Sequence, residues 1–592
     1  MIHSSYVSNY DKYPEIAVAG YEEAACEGWD AIVRRLQATL AAQGQSKVVL
    51  VIDCYHGVDQ RELRESLLAQ LGPLTLIDVE QARWPEARIL EMLDRFITDD
   101  RVFGVVAPHK MVEFFDPAVL ARLQAETKAV PQGLVVVMGS GASLVAEGDV
   151  RVYADLARWE IQQRLRRKEI GNWGADNTEE DILRRYKRAF FIEWRVFDRH
   201  KVAQLPTIDF LLDTNIKGKP TVVTGAALHA ALHQAAHQPF RVVPFFDPGV
   251  WGGQWMKQVC DLDPAPANYA WCFDCVPEEN SLYLRFGSVR VEIPSQNLVL
   301  CEPRPLLGER VHARFGAEFP IRFDFLDTVE GQHLSLQVHP LTEYIQQEFG
   351  MHYTQDESYY MLDATPDACV YLGTRNDTVP QEMLTELAAA QRGEKPFDDE
   401  RFINRFPARK HDHFLIPAGT VHCSGAGAMV LEISATPFIF TFKLWDWGRV
   451  GLDGIPRPIH LEHGSKVIQW DRDTDWTERN LVNCIEPIAE GEGWREERTG
   501  LHEREFIETR RHWFSVPVEH DTGGTVQVLN LIEGREATVE SPDHAFAPFV
   551  VHYAETFIVP ASVGRYRIRP SGESEGQTIA TIKAFVRGEP RC

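Results

Sequence analysis

Ser335-Leu-Gln-Val-His-Pro340 places an amide and an imidazole on alternate residues, Gln337 and His339, with Leu336 and Val338 beside them. A strand sends every second side chain to the same face, so Gln337 and His339 project together while the aliphatic pair turns into packing. Glu357 stands in a second strand-like run, Gln355-Asp-Glu-Ser-Tyr-Tyr-Met-Leu, and His422 in a third, Phe414-Leu-Ile-Pro-Ala-Gly-Thr-Val-His-Cys. One amide oxygen, one carboxylate and two imidazoles make a hard-to-borderline donor set suited to Zn²⁺ or a similar divalent ion, with a position left for a substrate. Any one of these residues alone reads as structural. Their convergence on three strands bounded by Gly or Pro turns predicts one metal ion per chain, held by Gln337, His339, Glu357 and His422.

Three regions must position these residues. From residue 1 to about 240, helical periodicity (Ala17 to Leu40, Ala87 to Ile97) alternates with apolar runs: Lys47 to Asp53, Leu74 to Val79, Val102 to Ala107 and Gly133 to Met138. Such runs are the mark of strands buried on both faces, and their alternation with helices predicts a doubly wound parallel α/β sheet. This region loosely resembles a P-loop nucleoside or uridine kinase, on its strand order and a basic helical segment from Arg164 to Arg188 that is similar to a kinase lid. The phosphate cradle of such kinases, GxxxxGK[ST], is missing. Asp53-Cys-Tyr-His-Gly-Val-Asp59 has one Gly, no Lys and two extra carboxylates, and Gly139-Ser-Gly-Ala-Ser143 also lacks Lys. The expectation is a kinase-like domain without kinase activity; the other reading of the basic helix is a solvated face.

From residue 241 to 464, short runs punctuated by Gly, Pro, Asn and Asp predict a β sandwich or barrel, with candidate strands at Leu282 to Phe286, Val289 to Ile293 and Asn297 to Leu300. A helical insertion is expected over about 379–405, opened by Pro380 in its first turn. From 465 to 592, alternating runs at Trp513, Val526, Glu555 and Arg565 predict a second barrel, and Ile558-Val-Pro-Ala-Ser echoes Leu415-Ile-Pro-Ala-Gly. No His follows there, so this second barrel is expected to be metal-free.

Composition narrows the function. A net charge of −25 argues against a nucleic-acid partner, because phosphate binding needs a basic face. No apolar run is long enough to span a bilayer, and no secretory signal opens the chain. The 10 Cys are scattered along its length, as in a reducing cytoplasm. Cys272-Phe-Asp-Cys275 has no partner pair and is a weak zinc or redox motif.

Residues from about 240 onward resemble the class I mannose-6-phosphate isomerases, zinc enzymes of the cupin fold. The resemblance rests on Phe246-Asp-Pro-Gly-Val-Trp-Gly-Gly253, on QVHP at Gln337 to Pro340, on Glu357 and on Ile416-Pro-Ala-Gly-Thr-Val-His422. It extends to Leu431-Glu-Ile-Ser, Leu444-Trp-Asp-Trp-Gly-Arg449 and Ile459-His-Leu-Glu462. It implies cupin barrels, bound zinc and the interconversion of mannose 6-phosphate and fructose 6-phosphate. Two positions depart from the family. Gln355 stands where its members carry Lys, and Lys443, displaced by an insertion at Ala435-Thr-Pro-Phe, is the nearest cation to their Arg.

Aldose–ketose interconversion moves a proton between neighbouring carbons through a cis-enediol, with a base in reach. Glu432, at the family's site-lining position and poorly solvated on the strand after His422, is the candidate base, its alternative a paired buried carboxylate. Lys443 and Arg449 are the candidates for steadying an enediolate or a distal anion, although Arg449 could instead brace Asp446. Three readings stay open: isomerisation of a hexose 6-phosphate, the same chemistry on another or non-phosphorylated sugar, and a sugar-sensing scaffold without turnover.

Overall fold

A computed structural model describes residues 7–435, 439–500, 502 and 504–588. The chain forms two compact units, Glu15–Ala235 with Ser281–Glu302, and Met1–Pro14 with Ala236–Asn280 and Pro303–Cys592.

The first unit is built on the apolar runs. Strands Lys47–Cys54, Leu74–Asp78, Gly133–Gly139, Val150–Asp155 and Phe210–Asp213 run parallel, and Thr221–Thr224 and Ala25–Glu27 extend the sheet antiparallel. Numbered in chain order, the five parallel strands lie 2-3-1-4-5 across the sheet. Val135, Val136, Val137 and Met138 are fully buried, each such side chain contributing about 1.5–3 kcal/mol by leaving water. One expectation fails here. Val102 to Ala107 forms no ladder: the Val105 and Ala107 amides donate to the carbonyls of Phe96 and Phe191. The basic segment is divided: Arg166, Arg167, Lys168 and Arg184 are exposed, whereas Arg164, Arg185, Lys187 and Arg188 are buried. Arg164 donates to the carbonyls of Gly57 and Thr214, Arg188 pairs with Glu193 at 3.0 Å, and burial pushes the Lys187 ammonium down to about 8.

The second unit holds the β-rich chain as two pairs of sheets. The first pair joins a six-stranded sheet (Phe245–Asp247, Trp271–Cys275, Arg322–Asp327, Ala428–Ser434, Glu357–Ala364, His413–Ile416) to a five-stranded one (Leu336–Val338, Cys369–Thr374, Ile403–Pro407, His422–Ser424, Phe442–Trp445). The second pair joins six strands between Glu486 and Val586 to four others: Val518–Asp521, Arg565–Pro570, Glu536–Glu540 and Phe549–His552. The helical insertion is present as Pro380–Gln391 and Asp399–Phe402, and the chain returns to strand at Ile403, before the expected end at Arg405.

The first unit runs to Ala235 and takes in Ser281–Glu302 as well. The hairpin Ser281–Phe286 with Val289–Pro294 belongs to the first unit, where it pairs with Glu15–Ala17. Asn297 to Leu300, expected as strand, lies in the helix Gln296–Cys301. The cause is polar: Asn297 accepts from Lys201 and donates to Asp155, an ion pair buried in the first unit. A buried charge pair needs every such partner, and that outweighs the strand preference of Leu and Val. At the other end, the Asp11 amide donates to Glu555 at 2.6 Å, which ties the N-terminal segment to the second unit.

Candidate metal centre

Strand alternation delivers the cluster. Glu357 and Tyr359 share one face of Glu357–Ala364, and Tyr359 packs its ring 5.9 Å from that of His422. Gln337 lies directly opposite His422 across the five-stranded sheet. The turn ahead of His422 requires Gly419, whose φ is +86° and whose amide donates to the carbonyl of His339. His339, Glu357 and His422 are thereby buried with their donor atoms within 4.8 Å of one another.

The hydrogen bonds fix which ring nitrogens face inward. His339 Nδ1 lies 3.0 Å from the Phe440 carbonyl and His422 Nδ1 lies 2.8 Å from the Thr420 carbonyl. A carbonyl only accepts, so both neutral rings carry their proton on Nδ1 and turn a lone pair inward at Nε2. Those lone pairs meet the Glu357 carboxylate at 3.0 and 2.7 Å. Two acceptors at that distance repel unless a shared proton or a metal ion lies between them, and the buried His-Glu-His donor set fits a divalent ion. Gln337 Nε2 stands 3.2 Å from His422 Nε2, and turning the amide over would present its oxygen instead.

Gln355 also enters the cluster, donating to Glu357 at 3.0 Å. Glu432 is buried beside it, paired with Arg322 at 2.7 Å and accepting from Ser434 at 2.9 Å. Both of these bonds fall on Oε1, as does the longer Gln355 contact of 3.5 Å. Burial, then the nearby Asp324 and Glu357, push the Glu432 carboxyl well up, with Arg322 opposing. Lys443 sits opposite Gln337 in strand register. Arg449 is engaged elsewhere: it pairs with Asp446 and donates to the carbonyl of His333 at 2.6 Å. The insertion at 436–438 lies outside the described residues.

Arg322 went unread in the sequence. It lies far from Glu432 along the chain and meets it only because Arg322–Asp327 pairs with Ala428–Ser434. The one available signal was a cation and a carboxylate two residues apart among apolar neighbours, Ile321-Arg-Phe-Asp-Phe-Leu. Cys272 and Cys275 are both buried, and burial pushes their thiols well up, away from the thiolate form that redox exchange needs. Among the described residues no helix is long and apolar enough to cross a membrane.

The family described as a domain of unknown function (DUF8485) matches residues 28–237. Mannose-6-phosphate isomerase ManA of Bacillus subtilis is 32% identical over 154 residues, 26% of this chain and 45% of the relative. Mannose-6-phosphate isomerase of Streptococcus mutans is 25% identical over 221 residues, 37% of this chain and 64% of the relative. The chain thus spans less than two thirds of the length of either relative. Among solved structures, the mannose 6-phosphate isomerase from Bacillus subtilis aligns with a TM-score of 0.46 at 18% identity, over 59% of this chain and 99% of that one. In sequence, this chain is similar to the mannose-6-phosphate isomerases.

Proposed function

We propose that this protein is a metal-dependent aldose–ketose isomerase that interconverts mannose 6-phosphate and fructose 6-phosphate. The observation that carries the reading is the set of inward lone pairs on His339 and His422 against the Glu357 carboxylate, 2.7 to 3.0 Å away. His339, Glu357 and His422, with Gln337 as fourth ligand, would hold Zn²⁺ or a similar divalent ion. When bound, such an ion supplies Lewis acidity that polarises the sugar oxygens and stabilises negative charge, worth several kcal/mol. The cupin fold and the second, metal-free barrel belong to this reading.

Glu432 is the base. Its Oε1 is occupied by Arg322 and Ser434, which leaves Oε2 to take the proton from the carbon beside the carbonyl and return it to the neighbouring carbon. Burial raises its proton affinity, which suits a group that must take up a proton and give it back. Arg322 fixes its orientation, and Lys443, opposite Gln337, is the cation placed to steady the enediolate. A second reading, a sugar without phosphate, is favoured by Arg449, whose guanidinium is already committed to Asp446, and by Gln355, an amide where the family has Lys.

The test is a coupled assay on mannose 6-phosphate and free mannose, with wild type and Glu432→Gln side by side. Turnover of the phosphorylated sugar that Glu432→Gln abolishes supports the first reading. Preference for free mannose moves the substrate to the second. Turnover of neither sugar leaves another aldose or the sensing scaffold.

A further inference from the structure

The second pair of sheets has a layered interior. Strand register sets Phe514 opposite Ile579, His512 opposite Thr581 and Arg510 opposite Lys583, so all six side chains share one face. The facing sheet brings His520, whose ring centroid lies 5.0 Å from that of His512. The first layer is apolar, Phe514 and Ile579 joining Val518, Leu529 and Leu531 in one buried cluster. The third is charged, with Arg510 on Glu508 at 2.6 Å and Lys583 at 3.7 Å from Glu496.

The middle layer is unsatisfied. His512 Nδ1 and Nε2, His520 Nε2 and Thr581 Oγ1 are buried with no hydrogen-bond partner among the described residues. Leaving such a group dry costs about 1–3 kcal/mol, so four in one layer call for an occupant. Its chemistry follows from Lys583, whose Nζ lies 3.5 Å from His520 Nδ1. An ammonium only donates, so it takes the Nδ1 lone pair and the neutral ring carries its proton on Nε2. His520 therefore offers a donor at the orphaned nitrogen, where a metal would need a lone pair. Of the three Lys583 N–H donors one is directed to His520 and one toward the Glu496 carboxylate at 3.7 Å, which stands opposite His512 in register, and one is left for an anion.

We propose that the second pair of sheets binds a small oxyanion, a carboxylate or a phosphate monoester, on His512, His520, Thr581 and Lys583. This site is separate from the His339–Glu357–His422 cluster and does not depend on isomerase activity.

Isothermal titration calorimetry on the full chain tests it, with inorganic phosphate and malonate as the two probes. Wild type should bind at least one of them. Lys583→Met should weaken that binding about tenfold or more, the loss of a charge-assisted hydrogen bond, and Lys583→Arg should recover most of it. Thr581→Val, a same-shape change that removes an orphaned hydroxyl, keeps the fold and should weaken binding about threefold to tenfold. It decides the matter if Lys583→Met does not fold. Lys443→Ala should leave this binding unchanged. Equal affinity in wild type, Lys583→Met and Thr581→Val overturns the proposal. So does the absence of binding to either probe at millimolar concentration, the result expected if water alone fills the layer. A metal ion bound by wild type and lost in His520→Ala, with the first cluster still loaded, would also overturn it.

Discussion

Each pair of sheets in the second unit turns two histidines toward one another at nearly the same spacing. The ring centroids of His339 and His422 are 4.9 Å apart, and those of His512 and His520 are 5.0 Å apart. What differs is the third partner. Glu357 brings a carboxylate to the first pair, and both its rings have their Nδ1 on backbone carbonyls, so the inward atoms are all acceptors. Lys583 brings an ammonium to the second, where no such carbonyl engages either ring, so the inward atoms include donors. A pair of imidazoles therefore has no fixed chemistry. The charge beside it and the hydrogen bond behind it decide whether it suits a cation or an anion.

The largest expected effect lies in the first pair of sheets. His339→Ala or His422→Ala should strip the bound divalent ion and abolish turnover, whereas His512→Ala should leave metal content untouched. Metal analysis of the purified variants checks both halves, and full occupancy in either first-pair variant would sink the assignment. Chelation should also lower the melting temperature, because the ion binds only the folded ligand set.

Next in size is Glu432→Gln, which should reduce turnover about 10²–10⁴-fold while metal content stays complete. Retention of more than about a tenth of the rate would mean that a general base of that strength acts from elsewhere.

A charge reversal sharpens the contrast. Lys583→Glu sets a carboxylate beside His512 and His520 and should create weak metal binding in the second pair of sheets, while ending its oxyanion binding. Zinc titration of the variant against wild type measures the difference.

Acid sensitivity is the next smaller effect. Burial, with Glu496 and Lys583 acting in opposite directions, pulls the His512 imidazole down to about 4. A base with a lowered folded value is protonated first in the unfolded chain, so stability falls as pH drops from about 6.5 to about 4 and changes no further below that. The loss from this one group is on the order of 3 kcal/mol at most. Melting temperature against pH should fall less steeply over that window in His512→Gln than in wild type, and superimposable profiles would contradict the burial argument.

The smallest effect belongs to the α/β unit, where Mg-ATP should give neither phosphoryl transfer nor micromolar heat of binding. At the loop after its first parallel strand, Arg164 holds the Gly57 carbonyl at 2.9 Å and no Lys is present. Micromolar binding would show that a phosphate site lies elsewhere in the unit.

Much of the first cluster was legible in sequence for a local reason. Gln337 lies on the short strand Leu336–Val338 with His339 just past its end, Glu357 opens an eight-residue strand, and His422 follows a Pro-Ala-Gly turn. Ligand type and strand period are both properties of neighbouring residues. The same locality revealed the parallel sheet from its apolar runs, and it failed at Asn297, where partners distant in sequence overrode a strand-like Leu-Val-Leu. It also failed at Val102 to Ala107, an apolar run that found carbonyls rather than a neighbouring strand.

By itself the sequence determined residue types and their period along each strand, and so which side chains could reach a common face. Only the tertiary structure decided what meets across that face. Arg322 reaches Glu432 and Lys583 stands behind His520 through strand pairings and packing that join positions 110 and 63 residues apart. Coulomb and hydrogen-bond energies depend on distances of a few ångströms in a buried setting, and those distances exist only once the sheets are closed.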